Sequence, residues 1–130
     1  MMSAFSDSLG SSASGLRAQS HRLRIVAENV ANTDTPGYRR KTVSFSEVVE
    51  RSGLGTVALD RVSLDQRAGE QIYDPGHPLA DASGHYTGSN VDLVVEIADA
   101  REAQRSYEAN LKMFDQARQM SSGLMDLLRK

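Results

Sequence analysis

The sequence predicts a mainly α chain with a small β insert: long N- and C-terminal helices paired as a coiled coil, with a short-stranded hairpin module between them. Near the start, leucines recur every seven residues at Leu9, Leu16 and Leu23. A second apolar pattern runs from about residue 90 without a breaker until Gly123, and resumes beyond it. Between the two, the period falls to two and Gly and Pro become frequent.

In the first element, Ala13, Ser20 and Ala27 lie between the leucines and Val30 continues the series. Leu9, Ala13, Leu16, Ser20, Leu23, Ala27 and Val30 therefore share one face at 3,4 spacing, as a coiled-coil seam requires. An amphipathic helix folded onto its own domain would show a similar stripe. Propensity favours the first reading. Ser8 to Gly15 contain two glycines and four serines, and each interior Gly costs about 1 kcal/mol relative to Ala, so this stretch alone is expected to fray. Thr35-Pro36-Gly37-Tyr38 ends the helix, because the residue before Pro avoids the α region and Pro-Gly suits the centre of a type II turn.

After the turn, Val43 and Phe45 alternate with Thr42, Ser44 and Ser46, and Val57 and Leu59 with Thr56 and Ala58. Val62 with Leu64 suggests a third strand and Ile72 with Tyr73 a fourth. Glycines at 53, 55, 69, 76, 84 and 88, with Pro75 and Pro78, predict brief strands and many loops. Ser89 and Asn90 offer capping side chains for the second helix, and Asp92 adds charge favoured by the helix dipole. That helix, nearly 40 residues, would reach about 55 Å. Its seam reads Ala103, Ser106, Asn110, Met113, Ala117, Met120, Leu124 and Leu127, widened by Tyr107, Leu111, Phe114, Met125 and Leu128. The expected division is a discontinuous helical unit, residues 1–35 and 90–130, with a turn-rich hairpin insert, residues 36–89, projecting from it.

Composition excludes several functions. Aromatic residues make up 5% of the chain and Trp is absent, so a large self-contained core is not expected. A formal charge of −2 offers no footprint for nucleic acid or anionic membrane. Without cysteine there are no disulfides, thiolate zinc sites or thiol nucleophiles. No stretch approaches the roughly 20 apolar residues of a spanning helix, and the start lacks a signal-peptide pattern, so a protein soluble before assembly is expected. His21, His77 and His85 have no ligand spacing, and Asp74, His77 and Asp81 read as a solvated turn. Arg39-Arg40-Lys41 reads as a solvated strand edge. No nucleophile elbow or phosphate cradle occurs, and neither catalysis, a cofactor nor a metal is expected. Two terminal helices around an insert point to assembly, with a helical adaptor binding one partner's groove as the rival reading.

Ala13-Ser14-Gly15-Leu16, Ala27-Glu28-Asn29-Val30-Ala31-Asn32 and Thr35-Pro36-Gly37-Tyr38-Arg39 resemble the opening signature of bacterial flagellar rod and hook proteins. Asn29 and Asn32 stand where short amides satisfy helix-end backbone groups or bridge to a neighbour. Asn90-Val91-Asp92, Glu96 and Arg105-Ser106-Tyr107-Glu108-Ala109-Asn110 resemble the closing signature, and residues 73–81 resemble the insert of a proximal rod member. The resemblance implies a structural subunit of the basal-body rod that polymerises through its terminal helices, crosses the periplasm and transmits torque. It implies export from the cytoplasm by the flagellar type III apparatus, and as partners further copies and subunits of the FlgB, FlgF, FlgG and FliE types. Within the family, the FlgB type is the alternative assignment.

Overall fold

The computed structural model describes residues 2–49 and 55–129. Helix α1 covers Met2–Ala31, strands β1 and β2 cover Lys41–Val49 and Gly55–Leu64, β3 and β4 cover Gln71–Tyr73 and His85–Thr87, and helix α2 covers Leu93–Arg129. The strands form two separate antiparallel pairs, β1 with β2 and β3 with β4. The turn signalled by Gly53 lies outside the described residues.

Helices α1 and α2 pack against each other and run antiparallel. Near the end of α1, Arg22 reaches Asp99; midway, Gly15 faces Asn110; at its start, Phe5 shares a groove with Met113 and Met120. The contact stripe on α1 is offset by one residue from the leucine series. Ser12, Gly15, Val26 and Asn29 are buried, whereas Ala13, Leu16, Ala27 and Val30, each one position later, are half-buried or exposed. One residue is a rotation of about 100°, so Leu9, Leu16 and Leu23 lie half-buried on the flank. The inward side carries small residues, which let the backbones approach: a Cβ on Gly15 would stand 2.5 Å from Asn110 Oδ1. On α2 the buried residues are Glu96, Ala103 and Ala117. Ser106, Asn110 and Leu124 are half-buried, while Met113, Met120 and Leu127 point to solvent.

The hairpin departs from expectation in length. Its strands have nine and ten residues, and β2 joins two segments that the alternation of the sequence separates. A β-bulge explains the merger. Ser44 pairs with Arg61 but Phe45 with Leu59, which leaves Asp60 unopposed. The extra residue breaks the period of two, yet it keeps Val57, Leu59, Val62 and Leu64 on the same side as Val43 and Phe45. The hairpin also bonds to α1. Ser11 Oγ donates to Gly55 O at 2.7 Å, and Val57 N donates to Ser14 Oγ at 2.9 Å. These tethers and the close contact with α2 hold the Ser- and Gly-rich stretch in a helix that continues back to Met2.

Local chemistry fixes the junctions. Tyr38 N donates to Thr35 O at 3.1 Å and Gly37 has φ +73°, the left-handed position that a type II turn reserves for glycine. Asp92, not Ser89 or Asn90, caps α2: its Oδ1 accepts from Val94 N at 3.0 Å. Among the described residues only Ala18, Val26, Ala103 and Ala117 are buried apolar side chains.

Two glycines on α1 separate packing from propensity. Gly15→Leu forces the helices apart and should lower stability by about 1–3 kcal/mol. Gly10→Ala meets nothing within 4 Å and should raise it by about 0.5–1 kcal/mol. Thermal denaturation followed by circular dichroism reads both, and equal effects would contradict close approach at Gly15.

Candidate functional site

The deepest part of the molecule is a polar joint where the end of α1, the start of β1 and the start of α2 meet. Asn29 is fully buried and uses its whole amide. Its Oδ1 accepts from Tyr38 Oη at 2.8 Å and Lys41 N at 2.9 Å, and its Nδ2 donates to Lys41 O at 2.9 Å and Glu96 Oε2 at 3.3 Å. An amide has one donor end and one acceptor end, so it satisfies both backbone groups of Lys41 at once.

Glu96, also fully buried, receives Arg40 Nε on its second oxygen. Arg40 extends on to Asp99 Oδ2 at 2.7 Å, and Asp99 Oδ1 accepts from Arg22 at 2.9 Å. A buried carboxylate is tolerated only when paired and hydrogen-bonded, and this chain of four charges meets that condition. Burial works against the Arg40 charge, but the bond to Glu96 and the carboxylates of Glu96, Asp99 and Asp65 outweigh it, and its pKa is raised. Burial, with the nearby Glu28 charge, likewise raises the Tyr38 phenol above its ordinary value. Asn90 closes the joint from the other side: Oδ1 accepts from Arg40 N, and Nδ2 donates to Asp65 O at 3.2 Å and Arg67 O at 3.0 Å.

Of the motif residues, Asn29, Tyr38 and Asn90 thus converge, with Pro36 and Gly37 in the turn that returns the chain to them. Asn32 stays local: Nδ2 donates to Glu28 O at 2.9 Å and Oδ1 accepts from Thr35 Oγ1 at 3.0 Å. Val91 and Asp92 lead into α2, while Ser106, Tyr107 and Asn110 lie along it, where Asn110 Nδ2 donates to Ser106 O at 2.8 Å. Arg40 corrects the expectation of a solvated basic edge, since its side chain is 12% exposed. Counting back seven residues from Ala103 on the α2 stripe lands on Glu96, so an acid at an inward position was the available signal. In the β3–β4 loop, His77 stacks on Tyr86 at 3.8 Å and Asp81 accepts from Ser83 and His85. The Ser83 hydroxyl and the His85 backbone N–H hold the Asp81 pKa low.

The joint binds the parts of one chain together, while large apolar side chains of the helices stand in solvent. Val30, Leu93, Val94, Ile97, Met113, Met120, Leu127 and Leu128 are exposed along the helices.

Comparison with known proteins places both ends of the chain. A family model described as flagella basal body rod protein matches residues 9–39, and one described as flagellar basal body rod FlgEFG protein C-terminal matches residues 82–127. The chain is 47% identical to the flagellar basal-body rod protein FlgC of Agrobacterium fabrum, covering 89% of each chain. It is 37% identical to the FlgC protein of Salmonella typhimurium, covering 82% of this chain and 85% of the relative, and 33% identical to that of Buchnera aphidicola from Acyrthosiphon pisum, with the same coverage.

Glu96→Ala leaves the Arg40 guanidinium and the Asn29 amide short of a partner in the least exposed part of the fold. It should cost about 3 kcal/mol, read by urea denaturation; a loss below about 0.5 kcal/mol would contradict a structural joint. The Tyr38 phenol sets an alkaline limit. Its folded pKa lies above its unfolded one, so its contribution is complete below about pH 10 and is lost as pH rises through the folded value. Tyr38→Phe should flatten that part of the stability profile.

Proposed function

The chain belongs to the FlgC group of flagellar basal-body rod proteins, and on that premise we propose that it polymerises through its terminal helices into the drive shaft that carries torque from motor to hook and filament. It is a structural subunit of the flagellar basal body and not an enzyme. The observation that carries the polymerisation reading is the imbalance of apolar surface. Among the described residues, two helices of 30 and 37 residues bury four apolar side chains between them and their hairpin, three of which are alanines, while a row of Val, Leu, Ile and Met stands in solvent. Apolar patches of that extent on a small chain mark contact surfaces.

The same imbalance supports a division of faces. Small residues and the polar joint bring α1 and α2 together within one subunit. The leucine series Leu9, Leu16 and Leu23 on α1, and Met113, Met120 and Leu127 on α2, then serve as seams toward neighbours in coiled-coil fashion. Head-to-tail contacts of this kind build open helical arrays when the rotation does not close a ring. Residues 1–35 and 90–130 form the rod core in this reading, and residues 36–89 the outer insert. Its neighbours are further copies and related rod subunits of the FlgB, FlgF, FlgG and FliE types, in a rod that crosses the periplasm. The chain leaves the cytoplasm unfolded through the flagellar type III export apparatus. A helical pair with so small a core suits that route, because part of its ordering entropy is offset only on assembly.

Leu127→Asp tests the reading with little risk to the fold, since Leu127 is 69% exposed. Stability of the isolated chain should change by less than about 0.5 kcal/mol, while incorporation into basal bodies and swimming are lost. Leu16→Asp and Leu124→Asp, each burying a charge in a seam, should do the same. Normal motility in all three, or discrete one-to-one complexes in place of polymers, would sink the polymerisation reading.

A further inference from the structure

The first half of α1 is a poor helix former that the fold nevertheless keeps helical. From Met2 to Gly15 it carries six serines and two glycines, which favour helix less than Ala does. Its first turn holds no acidic residue to meet the helix dipole. Where Phe5 and Ser8 meet α2, Ala117 is buried but Met113 and Met120 stand in solvent. Support from α2 is therefore thin at this end, whereas the second half of α1 is held by the polar joint through Arg22 and Asn29.

A further support comes from the hairpin, and its chemistry is specific. Ser11 and Ser14 lie three residues apart on one helix face. Gly55 and Val57 lie two apart in β2, so their backbone groups point to the same edge, and β2 has one strand partner, β1. Ser14 Oγ donates to Ser11 O at 2.7 Å, which leaves its lone pairs to accept from Val57 N at 2.9 Å. Ser11 Oγ instead donates to Gly55 O at 2.7 Å. One hydroxyl thus meets a carbonyl of the strand edge and the other an N–H. Ser14 is 3% exposed, so without its hydroxyl the Val57 N–H would face a buried methyl group. Leu9 and Leu16 flank this pair of serines in the chain.

We propose that Ser11 and Ser14 are positioning residues for assembly: through the β2 edge they make the order of the front of α1, and with it the presentation of Leu9 and Leu16, conditional on a folded hairpin. This rests on the polymerisation reading and adds how the insert controls one of its seams.

Hydrogen exchange on the purified full chain tests the coupling. Helix propensity alone predicts slower exchange in Ser14→Ala, since Ala favours helix over Ser. The clamp predicts the opposite: amides of residues 4–14 exchange about fivefold to thirtyfold faster, the range for a buried donor left unmet, while residues 96–103 keep their protection. Val57→Pro deletes the N–H itself at an edge position that proline tolerates. It should give the same rise, with no further rise in the double variant. Gly10→Ala, whose Cβ meets nothing within 4 Å, should recover about fivefold in the Ser14→Ala background. In cells whose own copy is deleted, Ser14→Ala should lower the amount of the chain in purified basal bodies, and adding Gly10→Ala should restore it. Exchange at residues 4–14 that is unchanged or slower in Ser14→Ala, an equal rise at residues 96–103, additive effects of Ser14→Ala and Val57→Pro, or full incorporation despite faster exchange each overturn the coupling and leave the rod function standing. If the unmodified chain itself fails to enter basal bodies, the rod reading falls and the coupling falls with it.

Discussion

The burial of Glu96 is the constraint on which the rest of this fold turns. A carboxylate with no solvent exposure must be met by donors, and two side chains supply them: Arg40 from the strand start and Asn29 from the helix end. Bringing those two groups to the α2 start fixes three things together: the exit angle of α1, the origin of the hairpin and the depth at which α2 sits. Asn29 then locks the register of β1 by holding both backbone groups of Lys41. In a larger domain an apolar core would set such geometry. Here the buried apolar side chains number four among the described residues, and directional polar contacts carry the task, because a mismatched hydrogen bond is penalised more sharply than a shifted apolar contact.

Small residues do the complementary work along the helices. Ser12, Gly15 and Ala18 on α1 and Ala103 and Ala117 on α2 are small and buried, and Gly15 lies against Asn110, so the backbones come close there without large side chains between them. Such a seam buries little area, and at roughly 25 cal/mol per Å² it contributes modestly. Its consequence is geometric. With the inward side occupied by small groups, the leucines and methionines turn to the flanks and outer face, where they are available for the contacts proposed between subunits.

Much of this was legible before any coordinates. The two helices, the Pro36–Gly37 turn with its left-handed glycine, and the alternating strands follow from local rules. The helix face did not. Leu9, Leu16 and Leu23 form the stronger apolar stripe, yet the inward face is the neighbouring one, because Arg22 and Asn29 have to meet Asp99 and Glu96. The hairpin was under-read for a related reason: the Asp60 bulge interrupts the period of two, and a single strand looks like two. Arg40 was misplaced because its neighbours Arg39 and Lys41 suggest solvent, and nothing local to it reveals a carboxylate 56 positions away.

The sequence by itself therefore determined the two helices, the turn that closes the first and the family to which the chain belongs, since helix propensity, turn chemistry and short motifs act over a few residues. Tertiary structure alone decided which helix face turns inward, that the hairpin bonds to α1, and that Arg40, Glu96 and Asn29 share one buried joint. Those outcomes depend on pairing partners far apart in the chain, where the penalty for leaving a charge or an amide unsatisfied outweighs the local apolar pattern.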